Sequence, residues 1–132
     1  MIANRICIIA LMAGSTIISP TASAQLFQQM QPFDGNWRIA AQTTRGHCEN
    51  VEFPLVIQDG QIFSTGGSYG GYDAQVGGQV SPAGEVRVHA VAGPRDARGT
   101  GQLARFEGRG TWAGRGPSGV CSGVWNAYRS WF

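Results

Sequence analysis

Glycine interrupts this chain at such short intervals that a helical fold is excluded. Of twenty glycines in 132 residues, only Gly14 lies among the first 24. Each glycine inside a helix costs about 1 kcal/mol relative to alanine. Between the glycines, apolar and polar residues alternate in short runs, which is the period of a half-buried strand. The glycines keep no three-residue period, so collagen is excluded. Four tryptophans and alternating Val, Ile and Leu exclude simple disorder.

The alternation predicts strands at 36–43, 51–58, 61–65, 74–80, 85–91, 100–106, 108–113 and 120–128. Trp37, Ile39 and Ala41 share one face of the first strand. Val51, Phe53, Leu55 and Ile57 share one face of the second, and Pro54 on its outward phase suggests an edge or a bulge. Asp59-Gly60 is a two-residue hairpin turn, and Ser81-Pro82-Ala83-Gly84 is a turn with proline second. Residues 66–73 (GGSYGGYD), 93–98 (GPRDAR) and 114–119 read as loops. Such a series, with no helical window between its members, means a sandwich or a closed barrel. Sequential hairpins point to the barrel: all-β, small, antiparallel, up-and-down, of about eight short strands, closed so that no edge is left. The interior glycines are assigned to bends of tightly coiled strands.

Residues 1–24 read as a cleavable signal peptide. Arg5 supplies the positive start, residues 6–18 are mostly apolar, and Pro20 is followed by Ala22-Ser23-Ala24, a small-x-small site before Gln25. The apolar run is shorter than the roughly 20 residues a spanning helix needs. The alternative is a retained N-terminal anchor. A lipobox is ruled out because Ser15, not cysteine, follows Leu11-Met12-Ala13-Gly14. On this reading residues 25–132 form one domain of the periplasm or the secreted space. Cys7 leaves with the leader, and Cys48 and Cys121 pair as one disulfide. The closed loop would stabilise by roughly 4 kcal/mol on a chain-entropy basis.

Charge and motifs narrow the function classes. Lysine is absent, and with Arg5 in the leader the nine remaining arginines nearly balance eight acids. Such balance argues against nucleic acid and anionic membranes. Without lysine no P-loop can form. Gly66-Gly67-Ser68-Tyr69-Gly70 matches the G-x-S-x-G elbow, and Asp73 and His89 follow in hydrolase order, but the elbow requires a helix after its turn. Gly99-x-Gly101-x-x-Ala104 and Gly108-x-Gly110-x-x-Ala113 imitate dinucleotide fingerprints without opening a helix. His47 and His89 are too few to build a metal site with bonded cysteines. Glu49 with Glu52, or Asp73 with Glu85, carries no acid–base spacing beyond that of surface charge. Trp37 is expected in the core. Tyr69 and Tyr72, in a loop at a strand end, are expected to contact a ligand, with Arg95 and Arg98 beside them; Arg109 and Arg115 are further candidates for the same end.

The strings FDGNW (33–37), VGGQVSPAGEVRV (76–88), GTGQL (99–103), GRGTW (108–112) and CSGVW (121–125), with Arg129, resemble small secreted β-rich proteins of alphaproteobacteria, chiefly rhizobia and their relatives. That resemblance implies export and a β-rich fold, and carries no activity. More distantly, Gly35-x-Trp37 and Arg129 resemble the calycin superfamily of lipocalins and avidins, whose barrels open on G-x-W; in lipocalins an arginine from near the end packs over that tryptophan. The architecture is also similar to that of bacterial periplasmic protease inhibitors, eight-stranded barrels with one disulfide.

The expected function is therefore that of an exported, non-enzymatic binding protein of the cell envelope, without a cofactor or metal. Its partner would be a small ligand or an envelope protein. The alternative is a periplasmic inhibitor of a protease or other envelope enzyme, acting through residues 25–32 or a loop. Mass measurement of the protein recovered outside the cytoplasm should give a chain beginning at Gln25; a mass that retains residues 1–24 overturns the cleavage reading.

Overall fold

The computed structural model describes Gly14 and residues 31–130. The signal-peptide reading of 1–24 and the polar lead-in at 25–30 therefore lie outside the described residues, apart from Gly14. Ten strands follow in order: β1 Gly35–Arg45, β2 Val51–Gln58, β3 Gln61–Ser64, β4 Ser68–Tyr69, β5 Tyr72–Asp73, β6 Gln75–Val80, β7 Glu85–Ala92, β8 Arg95–Leu103, β9 Glu107–Gly116 and β10 Gly119–Ser130. No helix occurs among the described residues. Eight strands close an antiparallel barrel in the order β1-β10-β9-β8-β7-β6-β3-β2, and β4 and β5 pair as a separate hairpin. The up-and-down barrel expected from the spacing is the fold.

The strands form where alternation runs longest. In β2, Phe53, Leu55 and Ile57 are buried while Glu52 and Gln58 are exposed. Asp59 and Gly60 turn the chain with φ of 53° and 74°, the two positive values that a twist-matched two-residue hairpin requires. The Asp34 carboxylate accepts from both turn amides, at 2.8 Å from Asp59 and 3.2 Å from Gly60. The chain just before β1 is thereby stitched across one end of the barrel, where Phe33 is also buried.

Trp37 is buried below that end, 2 % exposed. Its indole Nε1 donates to the Phe33 carbonyl at 2.7 Å. The Arg129 guanidinium lies 4.9 Å from the centre of its ring and donates to the Pro32 carbonyl. Leu55, Ile57, Ile62, Val80, Val86, Leu103 and Ala127 complete the core at this end. We call it the packed end.

The inner wall of β8 and β9 is almost bare. Gly99 and Gly101 fall on the inward phase of β8, and Gly108, Gly110, Gly114 and Gly116 on that of β9. The indole of Trp125, from β10, fills the vacated space: a Cβ on Gly101 or Gly110 would collide with its six-membered ring. Its Nε1 donates to the Thr100 carbonyl at 3.1 Å. None of these six glycines has a positive φ. A Cβ on Gly101, Gly110 or Gly114 would also strike the backbone of the paired strand, so these glycines give room both to the indole and to the close approach of coiled strands, without left-handed backbone.

Three further expectations change. Residues 93–98 are not a loop: only Gly93 and Pro94 turn, and Arg95 to Arg98 are already paired in β8. Residues 114–116 likewise continue β9. Pro54 marks neither an edge strand nor a register shift, since β2 is paired on both sides. Its carbonyl accepts from Thr65, one residue past the end of β3. Its missing N–H therefore faces the point where the neighbouring strand departs, and no ladder bond is lost.

The seam pairs β1 with β10 from Asn36↔Ser130 to Arg45↔Ser122. Cys48, in the β1–β2 loop, and Cys121, near the start of β10, form the expected disulfide, with Cα atoms 6.1 Å apart. It staples the end of the barrel opposite Trp37.

Gly101→Val should lower the unfolding free energy by about 2 kcal/mol or more, because overpacking a core displaces its neighbours. Urea denaturation followed through tryptophan fluorescence measures it; an unchanged midpoint would show that the indole does not rest on this wall.

Candidate functional site

Above Trp125 the lumen is not filled. A cavity of about 130 Å³ lies towards the disulfide end. Ile39 and Ala41 of β1, Val51 and Phe53 of β2, Val76 of β6, Val88 and Ala90 of β7 and Trp112 of β9 supply its apolar surface. Trp125 is its floor. Trp112 is held by its Nε1, which donates to the Gln42 carbonyl of β1 at 3.2 Å, two strands along the wall. The space exists because the inward residues here are small: Ala41, Ala90, Ala97, Gly99 and Gly114 stand where the packed end carries Leu, Ile and Trp.

A lid covers the mouth. Residues 66–73, expected as a loop, contain the β4–β5 hairpin, which turns on Gly70 and Gly71 at φ of 60° and 84°. The Tyr69 hydroxyl accepts from the Glu49 amide at 2.8 Å and donates to the Glu49 carbonyl at 3.3 Å. This ties the hairpin to the loop that bears Cys48. The Arg95 guanidinium sits 5.2 Å from the centre of the Tyr69 ring and against Gly70, where any side chain would strike it. A cation over an aromatic face at a part-exposed site contributes on the order of 1 kcal/mol. At the lid's base, Gly67 lies against the Phe53 ring, so lid and cavity wall are in contact.

The four residues expected to bind a ligand are thus divided. Tyr69 and Arg95 meet at the mouth, and Arg95 occupies the inward phase of β8. Tyr72 packs its ring against Gly93 and stays 49 % exposed, outside the cavity. Arg98 borders the cavity wall, but its place between inward Ala97 and Gly99 sets it on the outer face of the barrel. Arg109 is also on the outer face, opposite Gln102 and away from the mouth. Val88, Ala90 and Trp112, which give the cavity its shape, were not singled out from sequence as ligand contacts. The available signal was the run of small inward residues in β7 to β9.

Ser68 and His89 of the elbow-like string do not form a relay. Ser68 is in the lid, while His89 is exposed on β7, opposite Arg98. Among the described residues, no three His, Cys, Asp or Glu side chains gather to hold a metal.

Tyr69→Phe should leave the barrel folded, with a loss of about 1 kcal/mol at most, and should raise amide hydrogen exchange at Glu49, whose N–H loses its acceptor. Unchanged exchange there would mean that the hydroxyl does not hold the lid. No family model matches the chain, and no curated protein matches it either, so its functional reading rests on this geometry.

Proposed function

We propose that the protein is a non-enzymatic binding protein of the cell envelope that takes a small apolar molecule into the barrel lumen beneath the Tyr69–Arg95 lid. The lidded cavity carries this reading. Ligand sites are concave, mostly apolar and furnished with a few placed polar groups, and here the polar groups are Tyr69, Glu49 and Arg95 at the rim. Apolar cavities of about 150 Å³ admit a benzene-sized molecule. The space above Trp125, about 130 Å³, suits a ring or a short branched chain. The disulfide supports the extracytoplasmic setting, since such bonds persist in oxidising compartments.

Benzene and indole serve as probes. Either should shift the methyl NMR signals of Val76 and Val88 and quench or enhance tryptophan emission through Trp112 and Trp125. Ala90→Leu, which fills the lumen from β7, should abolish these responses while holding or raising thermal stability. Absence of any response in the unsubstituted protein, or equal binding by the filled variant, would overturn lumen binding.

A further inference from the structure

The outer face of the same wall carries a second concavity. A groove of about 450 Å³ runs over β8, β9, β10 and the end of β1, bordered by Arg45, Arg98 and Arg115 with Asp96. The strand register explains how it forms. Arg98 lies opposite Ala113, Ala113 opposite Ser122, and Ser122 opposite Arg45. Two arginines therefore flank a floor of two small residues, about 14 Å apart around the wall at three strand spacings. Arg115 stands on the adjoining row, between Asp96 and Val120.

None of the three guanidinium groups makes an ion pair or hydrogen bond with a described residue. The contrast is Arg38, which is paired with Glu52 at 2.6 Å. Like charges held in neighbouring rows repel, and Asp96 offsets one of the three. The groove is thus left with two uncompensated positive charges beside a floor of Ala113 and Ser122, with the exposed Val120 at its edge.

We propose that this groove binds a phosphate group, either free or carried as a monoester. A phosphate monoester brings a charge of about −1.5 to −2 at neutral pH, and guanidinium forks meet its oxygens two at a time. The groove and the lumen adjoin the same stretch of wall, since Asp96, Ala97, Arg98, Gly114 and Arg115 border both, but the arginines invoked here stand on the outward phase of β8 and β9, and apolar probes read the one site while phosphate reads the other. Failure of either reading leaves the other standing.

Isotope-labelled protein titrated with inorganic phosphate and with glycerol 3-phosphate, against chloride at matched ionic strength, tests it. Both phosphates should shift the amides of Arg98, Ala113, Arg115 and Ser122 and the guanidinium Nε–H signals of Arg45, Arg98 and Arg115. Arg98→Gln and Arg115→Gln should each weaken binding about tenfold; Arg38→Gln should not change it. Tighter binding of glycerol 3-phosphate would identify an ester as the source, and equal binding would identify free phosphate. Shifts no larger than those from chloride, or full affinity in the two arginine variants, would overturn the proposal. The guanidinium signals of the unsubstituted protein give the same decision if a variant fails to fold.

Discussion

The barrel is organised around the contact between the Trp125 indole and the glycines of β8 and β9. A flat aromatic ring pressed against bare backbone removes a large apolar area from water, and burial of this kind is the main favourable contribution to folding. It also sets the depth of the core. Below Trp125, Trp37 and its branched aliphatic neighbours fill the lumen. Above it, the inward residues are too small to reach across, so space remains. Packed core and cavity are two outcomes of one choice of side-chain volumes along the same strands.

The tie between Arg129 and Trp37 belongs to the same scheme. Trp37 is the first large inward residue of β1, and Arg129 comes from the far end of β10. Their contact joins the two strands of the seam at the packed end, as the disulfide joins them at the other. The seam is held at both ends by side chains as well as by its backbone ladder.

Alternation made the strands legible because a barrel wall has one wet face and one dry face, and β2 shows it residue by residue. The disulfide was legible because, on the signal-peptide reading, only Cys48 and Cys121 remain to pair. The candidate site was half legible. Glycine and tyrosine marked 66–73 as special, but its hairpin is tied down by a hydrogen bond between Tyr69 and a loop twenty residues earlier, and spacing does not encode that. Gly-Pro was read as the start of a longer loop, so Arg95 and Arg98 were placed together; strand parity instead sends them to opposite sides of the wall. The glycines misled in another way. Their number announced unusual backbone, whereas Gly99, Gly101 and Gly110 make room for the Trp125 indole contributed by β10.

The topology has a consequence for how the molecule reaches its native state. Every barrel pairing except one joins strands that follow each other along the chain, the small lid hairpin aside. The exception brings Asn36 to Ser130 and must overcome nearly the whole chain's loop-closure entropy at once. Until it forms, β1 and β10 are two open edges, each able to template pairing with a neighbouring molecule. The cysteines sit beside that seam. The bond between Cys48 and Cys121 therefore restrains the closed barrel from reopening into an edge-exposed, aggregation-competent sheet.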